Sequence, residues 1–266
     1  MRRLGSCLGL LAVAAAAWPA LAAATPEVIA KGEAVPIPGY PETGNIYGAG
    51  AAVLAEYQIT GTEYVNSPPP LAGINVYLPT GVILHTAGFK TCPPSTLEPT
   101  GLGPSHCPPA SRAGPPGEVL GFVSIGGERV KETATVESFF APGGGIEFFT
   151  YGHSPVNIEV LSAGKILNPH GAAGFGPEFE TQIPLVASLP GAPYASVEHI
   201  KVRVGAAYGP KNPKKATYYG RVPKKGKCPK GGFRVKTEVI FAEVGGLPRQ
   251  TVTREIRVPC PRRSVR

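Results

Sequence analysis

The chain of 266 residues contains no aspartate, and all 18 of its acidic residues are glutamate. That absence excludes calcium loops that alternate Asp ligands, aspartic-protease dyads and a Ser-His-Asp triad, while triads completed by Glu stay open. No C-x-x-C is present, and the histidines at 85, 106, 153, 170 and 199 form no H-x-H or H-x-x-x-H set. The usual zinc spacings are therefore missing, and no metal or other cofactor is expected. No apolar run approaches the roughly 20 residues that a membrane-crossing helix needs. No long amphipathic helical pattern and no period of 20–50 residues stands out, so a helical bundle, a solenoid and a propeller are all unsupported.

The cysteines that are present are unusual in their context. Cys92, Cys107, Cys228 and Cys260 each precede a proline, and Cys7 stands apart. A residue before proline is pushed toward extended geometry, so these four belong in strands, turns or loops. The N-terminus has the layout of an export signal. Arg2 and Arg3 precede an apolar run from Leu8 to Trp18, Pro19 breaks it, and Ala22-Ala23-Ala24 offers small residues for cleavage. Residues 1–24 are expected to be a signal peptide and 25–266 the mature chain. Leu4-Gly5-Ser6-Cys7 has the form of a lipidation box, but it precedes the apolar run where such a box should follow it. Loss of Arg2 and Arg3 would lower the formal net charge from +8 to +6.

Gly (35) and Pro (31) make up about a quarter of the chain, yet they fall mostly between runs of Val, Ile, Thr, Tyr and Phe. Twelve such runs read as strands: 50–59, 72–78, 82–86, 118–125, 129–140, 146–151, 156–162, 178–187, 197–206, 216–221, 233–243 and 250–258. Residues 234–240 and 251–258 alternate on a period of two, which suits antiparallel sheets with one wet face. Ala141-Pro142-Gly143-Gly144-Gly145 marks a hairpin. The one helical candidate is 93–97, with Ser95 and Glu98 at capping-box spacing and Pro99 as a stop. The expected fold is all-β, an antiparallel β-sandwich of Ig-like or jelly-roll-like kind, with long Pro/Gly-rich loops and very little helix. Too few strands precede the Pro/Gly-rich stretch 99–117 to stand alone, so 25–266 reads as one domain with a disulfide-tied loop near 92–107.

Four cysteines behind an export signal imply two disulfides and allow three connectivities. The local, nested pairing Cys92–Cys107 and Cys228–Cys260 is favoured. The first clips the irregular loop, and the second ties the start of strand 233–243 to the end of strand 250–258.

The segments 74–82 (INVYLPTGV), 88–92 (GFKTC), Leu97-Glu98, His106-Cys107-Pro108 and Ser111 form an LP-x-G, Cys, Leu, CP loop pattern. With Leu189-Pro190-Gly191, Lys227-Cys228-Pro229 and 233–242, this resembles a family of exported actinobacterial proteins of unknown function. The Ala-rich leader and the single Met suit the high-GC genomes of that group. The resemblance implies export, the local disulfide and a β-sandwich. It carries no catalytic residue to this chain.

The motifs with chemical potential are weak. Gly152-His153-Ser154-Pro155-Val156 imitates a nucleophile elbow, but Val156 stands where glycine is required and a strand, not a helix, follows. A hairpin turn is the simpler reading. Gly48-Ala49-Gly50 lacks the third glycine and the βαβ context of a nucleotide loop. Glu147, Glu159, Glu178, Glu180 and Glu198 sit in or beside strands, where alternating Glu usually marks the wet face, and no pair presents itself for glycoside hydrolysis. The most distinctive polar feature is basic. Lys211, Lys214, Lys215, Arg221, Lys224, Lys225, Lys227, Lys230, Arg234 and Lys236 run without an intervening acid, interleaved with Tyr218, Tyr219 and Phe233, and Arg262, Arg263 and Arg266 extend the charge. Such a patch either protects a sheet edge or attracts polyanions. The chain is thus expected to be a secreted or cell-envelope binding or structural protein without catalytic activity, contacting anionic envelope polymers or lipid headgroups through Lys211, Lys214, Lys215, Arg221, Lys224, Lys225, Lys227 and Lys230. No specific nucleic acid is expected as a partner. The alternative is a secreted hydrolase acting on a carbohydrate or an ester.

Overall fold

A computed structural model of the chain describes residues 25–40, 43, 50–168, 170–171, 174–212, 215–221 and 229–260. The expected signal peptide 1–24, Cys7, Cys228, Lys214, Lys224, Lys225, Lys227 and Arg262, Arg263 and Arg266 lie outside the described residues.

Alternating sequences and turn residues produce β-structure almost throughout. The strands are β1 (Glu27–Val35), β2 (Ala52–Thr60), β3 (Leu71–Tyr77), β4 (Ile83–Leu84), β5 (Gly117–Ile125), β6 (Glu128–Phe140), β7 (Ile146–Ser154) and β8 (Glu159–Leu167). They continue with β9 (Glu178–Gln182), β10 (Ser196–Val204), β11 (Ala207–Tyr208), β12 (Thr217–Tyr218), β13 (Gly220–Arg221), β14 (Phe233–Phe241) and β15 (Gln250–Val258). Eleven of them form one sheet in the order β1-β2-β10-β5-β6-β7-β8-β9-β3-β14-β15. Every neighbouring pair is antiparallel. The all-β, helix-poor expectation holds. The second layer that a sandwich would supply is instead the same sheet, coiled nearly into a barrel so that β15 returns to β1. Alternating strands with one apolar face suit both solutions, and a sheet of this length can bury that face against itself.

The edges β1 and β15 meet through side chains and not through a ladder. With an odd number of antiparallel strands, the first and last run in the same direction. Side chains fill the seam: a Cβ added at Gly32 would lie 3.0 Å from Ile256 Cδ1 and 3.2 Å from Val258 Cγ2. Arg254 donates its Nε–H across the seam to the Val28 carbonyl at 2.7 Å. β1 is absent from the expected strands because Ala30, Gly32 and Ala34 are small where strand patterns call for bulk. The seam requires that smallness.

Other boundaries moved for local reasons. β9 stops at Gln182 because Pro184 cannot continue a ladder. The 82–86 and 216–221 runs yield only the two-residue strands β4, β12 and β13. The short helix, α1 (Pro94–Leu97), forms without the expected capping box. Pro93 occupies the cap and makes no side-chain bond, which places Ser95 inside the helix and Glu98 at its end. The 141–145 segment is a hairpin turn, with Gly143 and Gly144 at φ 85° and 95°.

Cys92 and Cys107 are joined. The loop they close lies on the outer face of β6 and β7. There Leu97 and the two cysteines pack on Phe139 and Phe149, with Leu97 and Phe139 both at 0% exposure. Cys260 is also disulfide-bonded; its expected partner, Cys228, is among the residues not described.

Candidate ligand-binding lumen

The coiled sheet has two faces with different chemistry. Outward positions carry charge, as in Arg234, Lys236 and Glu238 on β14 and Glu178 and Glu180 on β9. Inward positions are apolar, as in Phe233, Val235 and Val239 on β14, and Ile146 and Phe148 on β7. This is the inverse of a barrel set in lipid, which is apolar outside and polar inside.

Only part of the interior is filled. Near the lower end, where β1, β3 and β15 begin, Val28, Tyr57, Ile59, Leu71, Val239, Phe241 and Val252 pack as a dense core. Tyr57 sends its hydroxyl proton across this region to Thr237 Oγ1 (3.1 Å), which donates in turn to the Asn75 carbonyl (3.1 Å). Burial raises the Tyr57 pKa, and the bond to Thr237 partly opposes that. The hydroxyl therefore stays protonated and acts as a strut between strands that do not touch. Beside this core lies a cavity of about 390 Å³. Its walls are small for so wide a barrel. Ala34, Ala51, Ala55, Gly121 and Ala134 line it together with Val53, Val76, Ile200, Val202 and Ile256. A barrel of about eight strands is just filled by its side chains. Eleven strands with Gly, Ala and Val facing inward leave a hollow. Val53 near the upper end keeps 41% of its surface exposed and Leu185 at the lower end keeps 37%, although both line the cavity.

At the upper end, Phe140, Tyr219, Phe89 and Leu84 close part of the interior as an aromatic plug. Phe140 and Tyr219 ring centroids lie 5.0 Å apart, and Phe89 and Phe140 4.6 Å apart. The Tyr219 hydroxyl is buried without a hydrogen-bond partner among the described residues, and desolvation pushes its pKa well up.

Lys31, Ser196, Arg221 and Thr237 touch the lumen from separate strands, and one wall carries a polar residue on each of its strands. Glu132 on β6, Thr150 on β7, Ser162 on β8 and Thr181 on β9 face inward on four successive strands. Glu132 is the carboxylate of the lining, at 8% exposure. Its two oxygens each accept a backbone N–H from the end of β7 and the turn that follows, Ser154 N and Val156 N, both at 3.0 Å. Sequence reading passed over it, yet a signal existed. Val130, Ala134 and Val136 form the apolar stripe of β6, and Glu132 interrupts it, whereas Lys131, Thr133 and Thr135 form the polar one.

The candidates raised from sequence do not converge. Gly152, His153 and Ser154 form the end of β7, with the turn to β8 beginning at Pro155, and His153 Nε2 lies 2.7 Å from Thr135 Oγ1. Glu159, Glu178, Glu180 and Glu198 occupy positions off the lumen, and Glu198 pairs with Lys131 at 3.5 Å. Glu147 lies on the outer face at 6% exposure. Burial raises its pKa, Lys165 opposes the shift and Glu98 adds to it. Among the described residues no group of three or more His, Cys or Glu could hold a metal, and no helix is long and apolar enough to cross a membrane. Of the basic run, Arg234 and Lys236 are neutralised by Glu255 (2.9 Å) and Glu238 (2.8 Å). Lys211, Lys215, Arg221 and Lys230 make no ion pair with any described residue.

No protein-family model, no curated protein and no solved structure matches this chain.

Proposed function

We propose that the protein is an exported, non-catalytic binding protein that carries an apolar small molecule inside its coiled sheet. The observation that carries this reading is the hollow interior: about 390 Å³ of apolar-walled space, with Val53 and Leu185 exposed in its lining. Protein interiors are otherwise close-packed, and apolar lining of this extent left in contact with water is unfavourable by about 25 cal/mol per Å². An apolar occupant removes that cost. The volume falls in the range of about 300–1,000 Å³ found for small-molecule sites. Export is supported by Arg2, Arg3 and the Leu8–Trp18 run, and the Cys92–Cys107 bridge suits an oxidising compartment.

The test is titration with Nile red, a neutral apolar dye. Saturable binding of one dye per chain with blue-shifted emission is expected. Emission that stays at its aqueous wavelength at high protein concentration would reject the reading.

A second contact is supported by the charge distribution. Lys211, Lys215, Arg221 and Lys230 are cations without ion-pair partners among the described residues, all in segments at the upper end of the sheet. That end is suited to an anionic polymer or lipid headgroup at the cell envelope, with affinity that falls as salt screens it. Sedimentation with vesicles containing anionic lipid, repeated across salt, tests it. Absence of binding at low salt removes the contact.

A further inference from the structure

Glu132 places a carboxylate in a lumen whose lining is predominantly apolar. At 8% exposure it is more than nine-tenths buried. Its inward position is shared with Ala134 and Val136, which line the cavity above it. One oxygen accepts the Ser154 N–H and the other the Val156 N–H. A carboxylate has about four acceptor sites, so two backbone bonds leave capacity on both oxygens. Among the described residues no cation makes an ion pair with it. The two cations that touch the cavity are committed or remote. Lys31 pairs with Glu56 at 3.5 Å, and Arg221 is held at the upper end by bridges to Gly50 and Ile83. Glu132 lies at the lower end, near the start of β6.

A buried charge without a counter-charge is costly, and its usual remedy is a paired and hydrogen-bonded cation. Two neutral amides fix the position of this carboxylate without cancelling its charge. The cavity against it supplies the room for the missing partner. From this we infer that the lumen selects apolar molecules carrying a protonated amine, with the ammonium bound to Glu132 and the hydrocarbon against Val53, Ala55, Ile200 and Val202. Thr150, the next inward residue of β7 after Gly152, whose Cβ position lies 3.0 Å from Glu132 Oε1, offers a hydroxyl oxygen to a remaining ammonium proton. The inference rests on the lumen being a ligand site and adds the chemical class of the ligand. Its direction opposes the overall charge of the protein. At a formal +8, unspecific attraction would favour an anion.

The experiment is displacement of Nile red by three ligands of equal chain length, dodecylamine, dodecan-1-ol and dodecanoate, below their micellar thresholds. Dodecylamine is expected to bind about tenfold tighter than dodecan-1-ol, with dodecanoate weakest. In Glu132→Gln the preference for amine over alcohol should fall to about one. The ratio is taken within one preparation, so partial unfolding of the variant does not alter it. Loss of the Ser154 and Val156 bonds alone would weaken all three ligands together and leave the ratio intact. Equal binding of amine and alcohol by the native protein, or an unchanged ratio in Glu132→Gln, overturns the inference while leaving the lumen as a site. Failure of Nile red itself to bind removes the lumen reading and this inference with it.

Discussion

A hollow interior and a packed one respond oppositely to added volume, and the two regions of this sheet allow the comparison within one molecule. Ala134 faces the lumen from β6 and is half-buried. Val239 faces inward from β14 and has 0% exposure in the dense core. Ala134→Phe adds an aromatic ring to the cavity. A fully buried Phe side chain contributes roughly 1.5–3 kcal/mol over an exposed one; a ring that covers part of a hollow wall should recover about 1 kcal/mol of this. Phe also suits a strand better than Ala. Val239→Phe adds similar bulk where nothing is free to receive it, at an overpacking cost of about 1–3 kcal/mol. The two variants should therefore differ by roughly 2–4 kcal/mol. At about 2–4 °C per kcal/mol for a chain of this size, calorimetry should place their Tm values about 5–15 °C apart on either side of the native one. Ala134→Phe should also weaken Nile red at least tenfold by occupying its space. A fall in stability for Ala134→Phe as large as that for Val239→Phe would mean the interior is packed there, and the reasoning from hollow to ligand would collapse.

The remaining predictions concern the outer face and the seam. Removing the bridge with Cys92→Ala and Cys107→Ala frees a loop of 15 residues and should cost about 3 kcal/mol by denaturant titration; a loss below about 1 kcal/mol would mean that Leu97 docking alone holds the loop on Phe139 and Phe149. Glu147 has a folded pKa raised by burial above its ordinary 4.5, so the native state holds that proton more tightly than the unfolded chain. Its contribution is fully present below about pH 4.5 and is lost as pH rises through the raised value. Glu147→Gln should abolish that decline, gaining on the order of 1 kcal/mol at neutral pH; parallel Tm-against-pH curves for the two proteins would refute the assignment. Gly32→Val places a Cβ 3.0 Å from Ile256 Cδ1 and should cost about 1–3 kcal/mol through overpacking. Hydrogen exchange should show the loss concentrated in β1 and β15, and protection unchanged there would mean the seam is slack.

Much of the architecture was legible because it depends on local pattern. Alternation in 234–240 and 251–258 gave β14 and β15, and the glycines of 141–145 gave their hairpin. The coiling was not legible, since an alternating strand buries its apolar face equally well against a second sheet or against the far side of its own. β1 escaped notice because its inward residues are fitted to a distant neighbour: Gly32 is small on account of Ile256 and Val258, more than two hundred positions away. The site was hidden for a related reason. Composition advertises the lysines of 211–236, which are numerous and gathered in one segment, whereas a lumen is made of single Ala, Val and Gly residues drawn from nearly every strand. Glu132 was visible as a glutamate on the apolar side of its own alternation, but its meaning needed the knowledge that this side faces a cavity and not a filled core. Of the four cysteines, the nearer pair could be joined on spacing, and Phe139 and Phe149 show why the clip matters: both would otherwise face water.

The central claim is that an apolar molecule occupies the interior. A crystal structure of the protein with 12-bromododecan-1-ol tests it most directly, because bromine is located independently of the protein atoms. The account predicts an anomalous peak inside the sheet, between the Ala134–Thr150 wall and the Val53–Val202 wall. Bromine found only on the outer face, with the lumen collapsed or filled by its own side chains, would contradict it.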